Sequence, residues 1–397
     1  MRSGWRKVNL GQILSFSNGK SSPERSPNFP YPVYGSNGII GFSSETNSDR
    51  NTIIIGRVGS YCGSLQYSEI VCWVTDNAIR ASAIDGHNSR FLFYLLQTLG
   101  LNDWRAGSGQ PLLNQTILSS IPTAVPHISE QHRIAQILGA LDDKIELNRR
   151  MNATLEGMAR ALFKSWFVEF EPVRAKMEGH WHRGEALPGM SAELYDLFPE
   201  RLVPSELGDA PDGWGVKPLG ELIELAYGKA LKAADRRGGK TPVYGSNGRV
   251  GWHDEALADG PGVIVGRKGT PGIVTWSHTP FYPIDTTFYV KSKNEGLSLF
   301  FLHYALREQN LPSVAADSAV PGLNRNLAYM NKQLVPPAGI IAAFNTQAIK
   351  LFSQMYRSEE ESKILANLRD TLLPELVSGK MRVNDVENPN VGEGCRC

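Results

Sequence analysis

The feature that most constrains the fold of this chain is an internal repeat with a period of about 210 residues. Residues 31–38 read YPVYGSNG and residues 241–248 read TPVYGSNG, while residues 54–59 read IIGRVG and residues 264–269 read IVGRKG. Solenoid proteins have much shorter units, of roughly 20–50 residues. The repeat therefore predicts a duplicated domain.

Shorter matches at nearly the same offset extend each copy in both directions. Apolar and β-branched runs in each copy lie between clusters of Gly, Pro, Asn and Ser, which is typical of short strands joined by tight turns. One helix-like stretch, residues 91–99, recurs at residues 299–306. Each copy is therefore predicted to be a mixed α/β domain dominated by strands. The shorter matches pair Trp5 with Trp214, Gly19-Lys20 with Gly228-Lys229, and Leu113-Asn114 with Leu323-Asn324.

A long heptad pattern follows each copy. Its seam residues alternate by four and three, as in coiled coils, and the second seam equals the first displaced by 210 positions. Both seams become polar at the same two places, and polar seam residues typically fix helix register. The pattern predicts two long helices that pack antiparallel about a pseudo-two-fold axis; the alternative is that each helix covers only its own domain. The first seam comprises Ile134, Leu138, Leu141, Ile145, Asn148, Asn152, Leu155, Ala159, Leu162 and Trp166, and the second comprises Phe344, Ala348, Leu351, Met355, Ser358, Ser362, Leu365, Arg369, Leu372 and Leu376.

Prolines mark the end of each copy, and a proline-rich acidic stretch separates the first long helix from the second copy. We therefore expect six segments. These are a first domain in residues 1–128, a central long helix in 129–170, a structured connector in 171–213, a second domain in 214–338, a C-terminal long helix in 339–382 and a tail in 383–397.

Composition limits the class of protein. No apolar run approaches the ~20 residues that span a bilayer, and the four cysteines, at positions 62, 72, 395 and 397, are not spaced as a zinc site or a disulfide framework. We expect a cytoplasmic protein. The net charge of +1 is low for a dedicated nucleic-acid binder. However, residues 1–128 carry 10 basic against 7 acidic residues and residues 214–338 carry 14 against 10, a difference that chance scatter would also produce.

No constellation of catalytic residues stands out. Gly239-Lys240-Thr241 resembles the end of a phosphate-binding loop, but Ala234 occupies the position where that loop requires glycine. The Asn/Asp-Pro-Pro-aromatic tetrapeptide of amino-methyltransferases does not occur. His180 and His182 lie on the proline-rich connector, where a solvated pair is more common than a metal site. We therefore expect a binding protein without catalysis, metal or cofactor of its own.

The repeated loops carry side chains that suit DNA. Asn can pair bidentately with adenine, Tyr can donate to phosphate, and Arg contacts guanine or phosphate. Turn scaffolding is the alternative for the repeated Tyr and Asn residues. If the two copies read different sequences, shared residues should serve the fold or contact phosphate, and base readers should lie in divergent segments such as 23–29 and 233–239. The candidates are Tyr34, Asn37 and Arg57 in the first copy, and Lys229, Lys232, Arg236, Arg237, Tyr244, Asn247, Arg267 and Lys268 in the second.

Three further strings resemble those of one known family. Residues 166–173 read WFVEFEPV, residues 193–199 read ELYDLFP, and residues 370–376 read DTLLPEL, followed by SGK at 378–380. They are similar to the central region and the C-terminal helix end of the specificity subunits of type I restriction-modification systems. The order of domain, helix, domain and helix over nearly the whole chain resembles that family as well.

The resemblance implies an α+β fold with two duplicated mixed α/β target-recognition domains, separated by long helices that form an antiparallel coiled coil with pseudo-two-fold symmetry. It implies that each domain reads one half of a bipartite site in double-stranded DNA and that the helices set the spacer. The implied partners are two adenine methyltransferase subunits, which dock on the helices, and two endonuclease-translocase subunits. S-adenosylmethionine, ATP and magnesium would belong to those partners.

The two long helices differ at equivalent positions. Ala159 in the first helix corresponds to Arg369 in the second, and Asp142-Asp143-Lys144 has no close counterpart, so the two halves are expected to bind methyltransferases with unequal strength.

A nuclease or methyltransferase with duplicated recognition domains, or a coiled-coil adaptor without nucleic acid, would also contain a duplicated domain. A catalytic assay of the chain alone and a salt-dependent DNA titration would separate these alternatives.

Overall fold

A computed structural model describes residues 4–106, 112–316 and 322–384 of the chain. These residues form two compact units. The first unit contains the described residues up to Leu147 and those from Glu361 onward, and the second contains residues 148–360. Each unit therefore combines one copy of the repeat with part of each of two long helices.

The first copy, here called the first domain, is built on a four-stranded sheet in the order β2-β8-β5-β6, a three-stranded sheet β4-β3-β7 and the pair β1-β9. Its central strand β5 is buried along its whole length, which explains the continuous apolar run Ile53-Ile54-Ile55. The elements are β1 (Arg6–Asn9), β2 (Leu14–Asn18), β3 (Tyr31–Gly35), β4 (Gly38–Ser43), β5 (Thr52–Gly56), β6 (Leu65–Ser68), β7 (Trp73–Val74), β8 (Ala78–Ala83), α1 (Ser89–Gln97), α2 (Gln115–Ser120) and β9 (Pro122–Val125).

Next come the first long helix α3 (Ile128–Phe167) and the connector, which holds α4 (Glu171–Met177) and the antiparallel hairpin of β10 (Leu202–Ser205) and β11 (Gly208–Pro211). The connector is a packed part of the second unit, because Trp181, Met190 and Phe198 are buried in that unit's core. The expected end of α3 at residue 170 was too late. Phe170 has a left-handed backbone with φ of 55°, which an α-helix cannot contain, and it precedes α4.

The second domain repeats the sheet topology of the first, with the sheets β13-β19-β16-β17 and β15-β14-β18 and the pair β12-β22, and it also contains the short pair β20-β21. The duplication predicted from the sequence is therefore confirmed. Its elements are β12 (Gly215–Pro218), α5 (Leu219–Leu222), β13 (Ile223–Tyr227), β14 (Thr241–Gly245), β15 (Gly248–His253), β16 (Gly262–Gly266), β17 (Val274–Ser277), β18 (Tyr282–Pro283), β19 (Thr287–Ser292), α6 (Leu299–Glu308), β20 (Ala315–Ala316), β21 (Gly322–Leu323), α7 (Arg325–Met330) and β22 (Lys332–Val335).

Repeated Asn and Gly residues hold equivalent positions of the two domains. Asn114 and Asn324 cap α2 and α7, since each side chain accepts a hydrogen bond from a backbone N–H of the first helical turn. A Cβ at Gly19 would collide with the carbonyl group of Thr75, so only glycine permits this approach of the two chain segments. The equivalent Gly228 approaches the carbonyl group of residue 284 in the same way.

The second long helix, α8 (Ala338–Val377), pairs with α3 in an antiparallel sense within each unit. In the first unit, Lys144 Nζ lies 3.3 Å from Glu361. In the second unit, Asn148 and Asn152 of α3 donate side-chain hydrogen bonds across to backbone carbonyl oxygens of Ser358 and Met355, at 3.4 and 3.1 Å. All the seam residues named above are buried or half-buried. The helix ends earlier than the expected residue 382, and Gly379 beyond it has φ of 68°, which is typical of a helix terminus.

Candidate nucleic-acid interface

The two repeated tyrosines lie in the domain cores. Tyr34 on β3 packs with Ile54 and Val74, and burial raises the pKa of its hydroxyl group. Tyr244 on β14 is 9% exposed, and its ring centroid lies 6.0 Å from that of Phe281. A buried phenol cannot reach a phosphate outside the domain. The burial of both tyrosines therefore favours the alternative to DNA contact, a scaffold role.

Asn37 and Asn247 differ from the tyrosines because both are exposed. Each occupies a two-residue turn of a hairpin, β3–β4 or β14–β15, and is followed by a glycine with positive φ, Gly38 at 99° or Gly248 at 104°. The glycines adopt the positive φ that the turn requires, and the side-chain amides of the two Asn residues are exposed to solvent. The two Asn residues stay candidates for DNA contact.

The second repeated turn follows the central strand of each domain. Arg57 follows β5, Arg267 follows β16, and both are half-buried, whereas Lys268 is exposed. In each domain the segment before α2 or α7 is held against this turn. The backbone N–H of Leu113 donates to the carbonyl oxygen of Arg57 at 3.1 Å, and that of Leu323 donates to Arg267 at 2.8 Å. The start of α2 or α7 is thereby fixed beside the repeated arginine.

Two residues that the sequence prediction missed, Tyr227 and Arg325, adjoin Arg267. The guanidinium carbon of Arg267 lies 4.9 Å from the Tyr227 ring centroid, and that of Arg325 lies 4.8 Å from it. Arg267 Nη1 also donates to the carbonyl oxygen of Asp285 at 3.0 Å. The Tyr227 ring is 50% exposed. Among the residues that the structure describes, neither arginine forms an ion pair with a carboxylate.

The basic loop after β13 is less available than its sequence suggested. Lys229 and Lys232 are exposed. Arg237, however, forms ion pairs with Asp254 at 3.0 Å and Glu255 at 2.9 Å, and these carboxylates raise the pKa of its guanidinium. Much of its charge is compensated within the domain. Of the basic candidates in this loop, Lys229 and Lys232 therefore remain the more available for contact with DNA phosphates.

Arg236 is a structural residue with a partner of the same kind in the first domain. Its Nη1 donates to the carbonyl oxygen of Val250 on β15 at 2.7 Å. In the first domain, Arg25 Nη1 donates to the carbonyl oxygen of Ile40 on β4 at 2.9 Å. The segments 23–29 and 233–239 were expected to diverge and read bases, yet each contains an arginine that closes the hairpin in the same way. Aligning the two copies of the repeat so that Arg25 lies opposite Arg236 would have indicated a shared structural role.

The described residues offer few other sites for chemistry. Across residues 4–106, 112–316 and 322–384, no group of three or more His, Cys, Asp or Glu side chains is placed to hold a metal ion. His180 is exposed and lies 3.3 Å from Glu178, while the intervening Trp181 is buried. No helix in the same described ranges is long and apolar enough to cross a membrane. Cys62 and Cys72 are buried free thiols, and Cys395 and Cys397 lie outside the described residues.

Comparison with known proteins gives one consistent result. The profile of the type I restriction modification DNA specificity domain matches residues 2–157 and 211–325. The type I restriction enzyme HindI specificity subunit of Haemophilus influenzae is 26% identical over 68% of this chain and 71% of its own length. The MjaIX specificity subunit of Methanocaldococcus jannaschii is 24% identical over 76% and 71%. A crystal structure of the type I restriction-modification S subunit from M. genitalium shares the fold, with a TM-score of 0.62, 18% identity and coverage of 95% of this chain and 97% of that one.

Proposed function

The chain belongs to the type I restriction-modification DNA specificity family, and from this premise we propose that each of its two domains reads one half of a bipartite DNA target. The family role is DNA sequence specificity. The observation that carries the bipartite proposal is the duplication itself. The domains repeat one sheet topology, and each presents an exposed Asn turn and an arginine turn at equivalent positions.

A further part of the proposal is that the long helices set the spacer between the half-sites. Each helix has 40 residues, which is about 60 Å at 1.5 Å per residue. Half-sites read from one face of DNA lie about 34–36 Å apart, so the helices are long enough to span one turn. Asn148 and Asn152 support a fixed spacer, because their hydrogen bonds to α8 oppose sliding of one helix along the other.

We also propose that the helices dock two adenine methyltransferase subunits and that two endonuclease-translocase subunits complete the complex. Met158 on α3 and Leu368 on α8 are equivalent positions of the heptad repeat, and they are 54% and 45% exposed. Large exposed apolar side chains often mark interaction surfaces, and a pair at equivalent positions, with one member in each unit, suits one methyltransferase per unit. In this proposal the chain is non-catalytic, and S-adenosylmethionine, ATP and magnesium are bound by the partners.

Methylation sequencing of cells that carry the complete system tests the bipartite proposal. The expected result is one interrupted sequence with a methylated adenine in each half. A continuous methylated sequence, or methylation of another base only, would contradict the proposal. Catalytic assays of the purified chain alone should show neither methyl transfer nor cleavage.

The spacer is tested by inserting four helix-forming residues after Arg149 of α3. The helix would lengthen by about 6 Å, so the spacer should grow by about one or two base pairs, since each base pair rises about 3.4 Å. The half-site words should stay the same. The same insertion after Glu206, in the exposed turn between β10 and β11 of the connector, is the control and should leave the spacer unchanged. An unchanged spacer in both insertion variants would show that the helices do not set the distance between the half-sites.

Docking is tested by Met158→Glu and Leu368→Glu, each assayed by the mass of the complex formed with methyltransferase subunits. Each variant should lose one methyltransferase. Met177→Glu is the control, because Met177 is 52% exposed on α4, outside the long helices. Complexes of unchanged mass with both helix variants would place the docking surface elsewhere.

A further inference from the structure

The cluster around Tyr227 joins residues from three separate elements at one end of a sheet. Tyr227 ends β13, Arg267 follows β16, and Arg325 begins α7. Strands β13 and β16 both pair antiparallel with β19, so their carboxyl ends lie at the same edge of the sheet. The first domain has the same edge, formed by the ends of β2 and β5 and the start of α2.

The residues at this edge are partly shared by the two domains and partly different. Arg267 corresponds to Arg57, and both are held by a backbone hydrogen bond from the segment before the next helix. Arg325 corresponds to Gln115, since each is the first residue of the equivalent helix, α7 or α2. Tyr227 corresponds to Asn18, the last residue of β2. A shared arginine therefore lies beside a position that differs.

The chemistry of the differing position matches DNA base recognition. Arg forms bidentate hydrogen bonds to the O6 and N7 atoms of guanine, and Gln forms them to the N6 and N7 atoms of adenine. Arg325 is half-buried, and so is Gln115. Two domains that read different words need a different side chain at equivalent base-facing positions, whereas a phosphate contact would work equally well with one residue type in both.

The surroundings of Arg325 favour a ligand outside the protein. Its guanidinium carbon lies 4.8 Å from the centroid of the half-exposed Tyr227 ring. Contact with a ring restricts the position of the guanidinium group, whose N–H groups can still donate hydrogen bonds to a ligand. The neighbouring Arg267 lies against the same ring, so two positive charges near this ring would attract an electron-rich group of a ligand.

We propose that positions 115 and 325 are specificity-determining residues, Arg325 reading a guanine in the half-site of the second domain and Gln115 reading an adenine in the half-site of the first. Tyr227 is a positioning residue that holds the Arg325 guanidinium. Arg267 and Arg57 contact the DNA backbone beside these bases. The inference rests on the proposed bipartite function.

The test is an exchange of the two side chains in the full chain, assembled with its partner subunits and read by methylation sequencing. Arg325→Gln should change one base pair in one half-site and leave the other half-site unchanged. Gln115→Arg should do the converse. In duplex-binding measurements, Arg325→Gln should weaken binding to the original word by about five- to a hundredfold, with little effect on unrelated duplexes.

Arg267→Gln is the matched control, because it makes the same chemical change on the same tyrosine ring. It should leave the methylated word unchanged, weaken binding to all duplexes alike and reduce the slope of log affinity against log salt by about 0.9. Thermal midpoints of all three variants should stay close to that of the parent chain, since none of these side chains is fully buried.

Two results would overturn the inference. If Arg325→Gln weakens all duplexes equally and keeps the word, Arg325 is a phosphate contact like Arg267. If both exchanges leave word and affinity unchanged, the edge does not face the bases. These failures differ from failure of the proposed function, in which the parent complex itself would methylate no interrupted sequence.

Discussion

The two units attach their domains to the long helices with opposite chemistry at equivalent positions. In the first unit, Asp142 of α3 accepts hydrogen bonds from the Tyr94 hydroxyl group of α1 at 2.6 Å and from Arg369 of α8 at 2.6 Å. Arg90 of α1 pairs with the neighbouring Asp143 at 2.5 Å. Burial and the hydrogen bond to Asp142 raise the pKa of Tyr94.

In the second unit, aromatic rings replace these charges. Phe352 of α8, the equivalent of Asp142, lies 4.7 Å from Phe300 and 4.8 Å from Trp276 between ring centroids. Phe300 is the equivalent of Arg90. Tyr304, the equivalent of Tyr94, still donates its hydroxyl hydrogen bond to a carboxylate, but the acceptor is Glu156 of α3 at 3.0 Å.

The comparison shows that the fold accepts either polarity at these positions, which are half-buried in the first unit and buried at Phe352 in the second. Aromatic packing is stabilised by dispersion and by the removal of apolar surface from water, and salt scarcely weakens this stabilisation. An ionic cluster is stabilised by directional charge pairs, which salt screens. The two units should therefore respond differently to truncation, to pH and to salt.

The largest expected effect is in the aromatic cluster. Phe352→Ala removes a ring that is 3% exposed, and it should lower the free energy of unfolding of the second unit by about 3–5 kcal/mol. Urea unfolding followed by hydrogen exchange in the peptide 299–308 measures this. Phe42→Ala is the matched control, since Phe42 is 38% exposed on β4. Equal losses in the two variants would show that the cluster is not the main contact between domain and helix.

A second effect depends on pH and concerns His303 alone. Burial, with smaller contributions from Arg307 and His278, lowers the pKa of His303 to about 3. An unfolded histidine binds a proton near pH 6.5, so the stabilising contribution is full above that pH and is lost as the pH falls from about 6.5 toward 3. Between pH 7 and pH 5 the loss should be about 2 kcal/mol.

His303→Phe tests this effect, because the equivalent residue of the first domain is Phe93. The unfolding free energy of the variant should not show this fall between pH 7 and pH 5. The first unit, without a histidine at this position, provides the internal reference. The same pH dependence with and without His303 would rule out the histidine as its source.

The smallest effect is expected in the ionic cluster. The side chains of Asp142 and Arg369 are 25% and 28% exposed, so water screens their attraction. A double-mutant cycle with Asp142→Ala and Arg369→Ala should give a coupling free energy of about 1 kcal/mol at low salt, and less in 1 M NaCl. The pair Lys144 and Glu361, at 42% and 47% exposed, should couple close to zero. Coupling that does not change with salt would contradict the ionic interpretation.

The fold could be predicted from the sequence because the repeat and the heptad seam are both patterns in the linear order of residues. Similarity between segments 210 residues apart can be read directly from the sequence. Burial of the seam residues, which are spaced by three and four positions, follows from helix geometry. The duplicated α+β domains and the antiparallel pairing of the helices within each unit are confirmed. The polar seam positions also carry a signal, since Asn148 and Asn152 contact the backbone of the partner helix.

The site was harder to predict because its residues come together only in three dimensions. Tyr34 and Tyr244 occur in an exposed-looking turn motif, yet both lie on strands that are buried at four consecutive positions, on both faces. Arg325 lies almost a hundred residues from Tyr227 in the sequence and contacts it only because α7 follows a segment held against Arg267. Comparing Arg325 with Gln115 in the aligned repeats would have identified the position, but not its neighbours.

Exchange of one domain tests the central claim, that the two domains read independently, most directly. Residues 1–128 would be replaced by the matching block of another specificity subunit, and the methylated sequence would be determined in cells that carry the complete system. The account predicts that one half of the interrupted word changes while the other half and the spacer stay the same. A change in both halves would contradict it, because the two domains would then read the DNA as a single surface.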